Sequence, residues 1–283
     1  MKGGCAMSRK RKTRNTRRKR KSQRNQGIAP KRLAILVSVV VALWLIYQVA
    51  TFLFENPWIL YTIIVVVILA VAGWIAWTVR RYQAYKATPF YKDTKTPFWT
   101  LKKPSVKFEC DVYNELSRRY PQAKMLANVL IPRNGAVNEY FEIDILMFSP
   151  KGTFALELKD WSGFIYGHKD NKRWTVGRKK GDDRTAIDVY NPYKQNQRHI
   201  EDLEKVYSFD YFNHVIFSER GDIGEGMEDV SKLDGFIARY ERLENQLSAE
   251  EINEHYEAIA AKLDPSNLPK HIERIKFNKK KYS

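Results

Sequence analysis

The chain has 283 residues, with 49 Lys+Arg against 32 Asp+Glu for a formal net charge of +17, and 44% apolar residues. Residues 1–32 carry 14 bases and no acid, residues 33–79 carry one acid (Glu55) and no base, and residues 80–283 carry 35 bases and 31 acids. The apolar content excludes collagenous and wholly disordered chains, and its concentration in 33–79 excludes an ordinary soluble protein. Two cysteines exclude a disulfide scaffold or a multi-cysteine zinc site.

The arm at 1–32 contains a like-charge run, 8–25, which is expected to be disordered and cytoplasmic. It reads as a topology determinant resting on anionic lipid. Phosphate neutralisation on nucleic acid is the sharper alternative. Residues 33–54 and 58–79 follow, each free of charge. As a helix each would be about 33 Å long, which matches a hydrocarbon core of about 30 Å. A cleaved signal peptide is a poor fit, because the region before the first span is long and a second span follows. The reading is a membrane helical hairpin turning at Glu55-Asn56-Pro57. Lys31-Arg32 and Arg80-Arg81 flank it, so both termini are expected in the cytoplasm of a cell-membrane protein with two spans.

Residues 80–104 contain Pro89, Pro97 and Pro104 without a sustained period and read as a juxtamembrane linker. A helix is predicted from 105 to Arg119, with Phe108, Val112, Leu116 and Tyr120 as an i, i+4 stripe. Strands are predicted at 124–131, 139–149, 153–159, 164–168 and 173–176. Pro150-Lys151-Gly152 closes a hairpin between the second and third, and Lys151→Ala there is expected to be near wild type in activity. A second helix starts at Asn191-Pro192 and runs to about Tyr207, a strand occupies 213–218, and Ser248 with Glu251 forms a capping box for a last helix. The fold class is mixed α/β. Gly221–Gly226 reads as a loop, and 221–283 as a helical C-terminal extension.

Charges embedded in apolar strands mark the informative stretch, 139–163. Period 2 places Glu142 and Asp144 on one face of their strand, and Glu157 and Lys159 on one face of the next. Buried charges must pair or coordinate metal. Asp144, Glu157 and Lys159 at neighbouring strand ends would suit a divalent ion such as Mg²⁺, which takes one or two carboxylates, waters and phosphate. A half-exposed hairpin carrying weak surface ion pairs gives the same pattern, and the residues alone leave both readings open.

The ordered set Glu142-Ile143-Asp144, Ser149-Pro150-Lys151-Gly152, Glu157-Leu158-Lys159-Asp160-Trp161-Ser162-Gly163, Trp174 and Asn191-Pro192-Tyr193-Lys194-Gln195 resembles the nuclease-related domain, NERD. That family is assigned to the PD-(D/E)-x-K restriction-endonuclease-like superfamily. The resemblance covers 105–220 and implies a restriction-endonuclease-like mixed sheet. Asp144 and Glu157 would be ligands of Mg²⁺ or Mn²⁺, Lys159 the catalytic lysine and Gln195 an accessory catalytic group. Glu109, after Phe108 in place of the family's glycine, would be a further metal carboxylate. The implied activity is hydrolysis of nucleic acid, DNA foremost, by a membrane-anchored, Mg-dependent nuclease in contact with membrane lipid. A non-catalytic nucleic-acid-binding or protein-interaction module tethered to the membrane is the alternative. His199 reads as a surface histidine, Trp161 and Trp174 as hydrophobic lids over the sheet, and Cys110 as a small buried residue.

Overall fold

The structure, a computed structural model, describes residues 29–132, 140–178, 180–181 and 185–263. The basic run 8–25, Glu139 at the start of an expected strand and the last part of the expected extension lie outside the described residues. The chain divides into two units, residues 1–79 and 80–283.

In the first unit, helix α1 (Ala29–Glu55) and the apolar part of helix α2 (Pro57–Lys86) are long and apolar enough to cross a membrane. Their apolar side chains are exposed, as a lipid-facing surface requires. The Ser and Thr hydroxyls return to their own helices. Ser38 donates to the Ala34 carbonyl, Thr51 to those of Tyr47 and Gln48, Thr62 to that of Trp58 and Thr78 to that of Trp74. Satisfaction within the helix is what hydrocarbon demands of a polar group. The break is narrower than the predicted turn. Glu55 still ends α1, Pro57 already opens α2, and Asn56 lies between them with its N–H and side-chain amide on the Phe52 carbonyl.

The second unit has the mixed α/β class expected from the sequence. One sheet has the order β1-β2-β3-β7-β9, from β1 (Lys124–Pro132), β2 (Tyr140–Ser149), β3 (Gly152–Lys159), β7 (Tyr211–Phe217) and β9 (Val230–Lys232). Its first three strands are antiparallel and the rest parallel. A second sheet has the order β6-β5-β4-β8, from β4 (Gly163–Tyr166), β5 (Arg173–Gly177), β6 (Ile187–Tyr190) and β8 (Gly221–Ile223).

Alternate residues of β2 enter different cores. Ile145 and Met147 pack with Val112 and Leu116 of α4 (Pro104–Arg119) and with Phe236 and Tyr240 of α6 (Leu233–Glu241). Leu146 and Phe148 pack with Ile200 and Leu203 of α5 (Pro192–Glu204) and with Ile252 and Ile259 of α7 (Ala249–Ala260). Each helix thus covers one face, as the period-2 pattern requires. Trp174, Ile165, Val215 and Phe217 form a third cluster joining the two sheets.

Two expectations are corrected. The stretch read as a linker is ordered: α2 continues to Lys86, α3 (Pro89–Thr94) follows, then a 3-10 turn (Phe98–Lys102). Tyr85 and Phe90 are buried in the α4 core, so the three prolines separate short helical turns instead of marking irregular chain. Residues 221–232, read as a loop and the start of a helical extension, supply β8 and β9. These strands pair in parallel with β4 and β7 and complete both sheets. Three-residue strands are too short to show a period.

Candidate functional site

The β2–β3 hairpin closes as expected, with Ser149 opposite Gly152 and Ile145 opposite Leu156. The next step of that register sets Asp144 across from Glu157, on one face. Lys159, two residues on, stays on that face. Helix α5 approaches it and adds Gln195, whose Nε2 donates to Glu157 Oε1 at 2.9 Å. The Lys159 ammonium donates to the same oxygen. Asp144 Oδ2 accepts from the backbone N–H of Leu158 at 2.7 Å. Thus Asp144, Glu157, Lys159 and Gln195 come together, from two strands and a helix.

Glu157 is 1% exposed, and its Oε2 is buried with no hydrogen-bond partner among the described residues. A lone-pair-bearing oxygen left bare in the interior is expensive unless something positive faces it. Burial and the neighbouring Glu157 charge push the Asp144 carboxyl well above its usual range, against the pull of Lys159 and the Leu158 N–H. Burial raises Glu157 as well, opposed by Lys159. Lys159 is itself raised: burial favours the neutral amine, but the Glu157 and Asp144 charges outweigh it. Lys159 is therefore a cation at neutral pH.

Glu109, on α4, is within electrostatic reach of this group. Burial and the Glu142 charge push its carboxyl up to about 7, with Lys159 opposing. Among the described residues, however, no three His, Cys, Asp or Glu side chains gather closely enough to hold a metal ion. The carboxylates come as the Asp144–Glu157 pair with Glu109 outside it. The pair fits a hard cation such as Mg²⁺, which takes one or two carboxylates and keeps several waters, and the bare Glu157 Oε2 is oriented by Gln195 and Lys159 holding its twin.

Of the residues that position these groups, Asn191, Asp160 and Gly163 stand in the motifs quoted above without an assigned role at the site, and Asn196 and Asn213 were not singled out. Asn191 caps α5, its Oδ1 accepting from the N–H groups of Tyr193 and Lys194 at 2.8 and 3.2 Å. Its Nδ2 donates to the carbonyls of Lys169 and Asn171 at 2.9 and 2.7 Å, which ties the β4–β5 loop to the helix that carries Gln195. Asn196 Nδ2 donates to the Ala155 carbonyl at 2.7 Å and to Asn213 Oδ1 at 2.9 Å, pinning α5 to β3 and β7. Asp160 accepts from Ser218 Oγ at 2.6 Å and from Arg220 at 2.8 Å, fixing the exit from β3. At the end of that exit Gly163 has φ 102°, and a Cβ there would lie 2.3 Å from the Gly177 carbonyl oxygen. Only glycine fits.

His199 is not the surface histidine expected. It is 9% exposed and stacks on Phe141, with ring centroids 5.2 Å apart and planes 7° apart. Trp174 is fully buried and donates from Nε1 to the His168 carbonyl, whereas Trp161 is partly buried against Phe217. Cys110 is buried, and burial raises its thiol to about 11.

Residues 105–218 match the family model of the nuclease-related domain. An uncharacterized protein of Bacillus anthracis is 37% identical over 65 residues, which cover 22% of this chain and 28% of that protein. The match thus spans less than a third of the relative. No solved structure matches.

Proposed function

We propose that residues 105–218 hydrolyse phosphodiester bonds of nucleic acid, DNA foremost, with a divalent ion held by Asp144 and Glu157. We further propose that α1 and α2 anchor this domain in the cell membrane with both termini cytoplasmic. The observation that carries the chemistry is the bare, buried Oε2 of Glu157 beside Asp144, with Lys159 and Gln195 fixing the other oxygen. The match to a nuclease-related domain supports nucleic acid as the substrate class. The exposed apolar helices with self-satisfied hydroxyls support the anchor.

When bound, Mg²⁺ or Mn²⁺ would supply a Lewis acid for the phosphate oxygens and a bound water of lowered pKa. The chain's own contribution is preorganisation. Gln195 holds the Glu157 carboxylate in one rotamer, and the Leu158 N–H does the same for Asp144. Lys159, charged at neutral pH, is a poor base. Its role is to counter the negative charge that grows on the phosphate oxygens, or to orient the attacking water. Glu109 adds a nearby carboxylate that tunes the field around Lys159 without joining the pair.

The test uses the full chain in detergent with labelled single- and double-stranded DNA and RNA, under Mg²⁺, Mn²⁺ or EDTA. Metal-dependent cleavage should fall at least about 100-fold in Asp144→Asn and Glu157→Gln. Cleavage that survives both Glu157→Gln and Lys159→Ala refutes the site. A wild-type chain that binds but cleaves nothing belongs to the binding-module class instead.

A further inference from the structure

Residues 80–107 contain eight bases and one acid, Asp93. The same stretch is two-sided. Tyr85 and Phe90 are buried in the α4 core, while Lys92, Lys95, Lys102 and Lys103 are exposed. Trp99, in the 3-10 turn between them, is 69% exposed. By contrast Trp174 is 1% exposed and Trp161 is partly covered, so Trp99 is the indole that this unit leaves in solvent. Asp93, the one acid of the stretch, is itself exposed but accepts from the Tyr113 hydroxyl, so the surrounding charge remains strongly basic. Trp99 follows Val79, the end of the second uncharged run, by only 20 residues.

We propose that this segment is a lipid-docking surface: Trp99 inserts at the headgroup level of an anionic bilayer, and Lys92, Lys95, Lys102 and Lys103 engage its lipid phosphates. The inference rests on the membrane anchor of the preceding subsection but not on the nuclease chemistry. An indole prefers the interface, where its ring is sheltered and its N–H stays wet. Clustered bases are drawn to the negative cytoplasmic leaflet over about a Debye length. Nucleic acid is the competing polyanion. It does not explain the exposed tryptophan as well, because the stretch exposes Trp99 and, to a lesser degree, Tyr82, not a run of aromatic platforms.

The full chain, carrying Cys5→Ser and Trp99→Cys, is labelled with an environment-sensitive fluorophore and placed in nanodiscs of phosphatidylcholine alone or with added phosphatidylserine. Val206→Cys, at an exposed apolar position just past the end of α5, is the control. The label at 99 should be quenched by iodide several-fold less in anionic than in zwitterionic discs. High salt, or reversal of Lys92, Lys95, Lys102 and Lys103 to Glu, should remove that protection, while the label at 206 stays equally accessible throughout. Equal quenching at 99 in both lipids overturns the proposal. So does a charge-reversed chain that loses oligonucleotide binding while its parent shows no lipid-dependent protection, which would assign the surface to nucleic acid. Alkaline washing of the discs distinguishes the anchor: a chain released by it overturns both readings, whereas a retained chain with an exposed label overturns docking alone.

Discussion

At the scale of single residues, the three charges of the hairpin were legible because charge in an apolar strand is rare and period 2 assigns it a face. The proposed chemistry gives them separable roles. Removing a carboxylate should weaken metal binding, read by titration with Mn²⁺. Lys159→Ala should leave the metal affinity nearly unchanged and slow single-turnover cleavage about 100-fold, as loss of one preorganised charge partner commonly does. In the Glu157→Gln/Lys159→Ala double variant the losses should not add, because both act on one oxygen; strict additivity would separate the two residues. The roles of Asn196, Asn213 and Asp160 were not legible, although Asp160 stands in the quoted motif. An uncharged amide on an amphipathic helix or at the start of a strand looks like a solvent-facing residue, and an acid next to a motif lysine looks like its surface partner. Asn128 was equally silent. It has φ 52°, and the register of β1 on β2 sets it across from Asp144. Asparagine tolerates that left-handed conformation and β-branched residues do not. Asn128→Val should therefore lower stability by about 1–2 kcal/mol while Asn128→Gly is nearly neutral, measured by thermal melts in detergent. A neutral Asn128→Val would show that the kink carries no strain.

At the scale of elements, long strands and helices were read within a few residues, whereas β6, β8 and β9 escaped because three or four residues give no periodicity. Lys151 shows what a turn read alone leaves out: its ammonium donates to the carbonyls of Glu241 (3.0 Å) and Leu243, closing the end of α6. Two junctions are open to measurement. Asn191→Ala removes the cap of α5 and its hold on the β4–β5 loop together, and should destabilise the fold by about 2 kcal/mol. A loss no greater than a few tenths would mean that water replaces those bonds. The second junction is β7 on β9, where His214 Nε2 meets Ser231 Oγ at 2.8 Å. Since the Ser231 hydroxyl donates to the Lys232 carbonyl, His214 is the Nε2–H tautomer. Burial, then the Arg239 charge, lowers it from 6.5 to about 3. Between those values the unfolded chain binds a proton that the folded chain refuses, so acidification from about pH 6.5 towards 3 withdraws stability, on the order of 3–5 kcal/mol when complete. Glu109, raised to about 7, works in the opposite direction as pH falls. The readout is therefore the difference between wild type and His214→Asn. Melting temperatures of the two should converge as pH drops from 7 to 4, and a constant gap would remove His214 as the source.

At the scale of the whole molecule, the division at residue 79 follows the change in composition, from two uncharged apolar runs to a stretch that carries 35 bases and 31 acids over 204 residues. What the composition could not reveal is that the second unit begins at once, with Tyr85 and Phe90 already packed into its core. Proline spacing suggested a tether because it hides turns too short to be periodic. The proposed topology follows from the same asymmetry of charge. Fourteen bases precede the first span, Arg80-Arg81 follow the second, and Glu55-Asn56-Pro57 carries no base. Lysine and arginine close to a span resist translocation far more than acids do. Both ends should thus stay in the cytoplasm and the Asn56 corner should face outside. In intact cells an impermeant maleimide should label Asn56→Cys, while Cys5 and a Ser283→Cys variant react only after permeabilisation; Cys110 is buried and should stay silent. Reversing the bases of 9–24 should erode that pattern, because the arm then ceases to outweigh the corner. Labelling at 283 from outside would invert the arrangement and put the Asp144–Glu157 pair on the wrong side of the membrane for cytoplasmic nucleic acid.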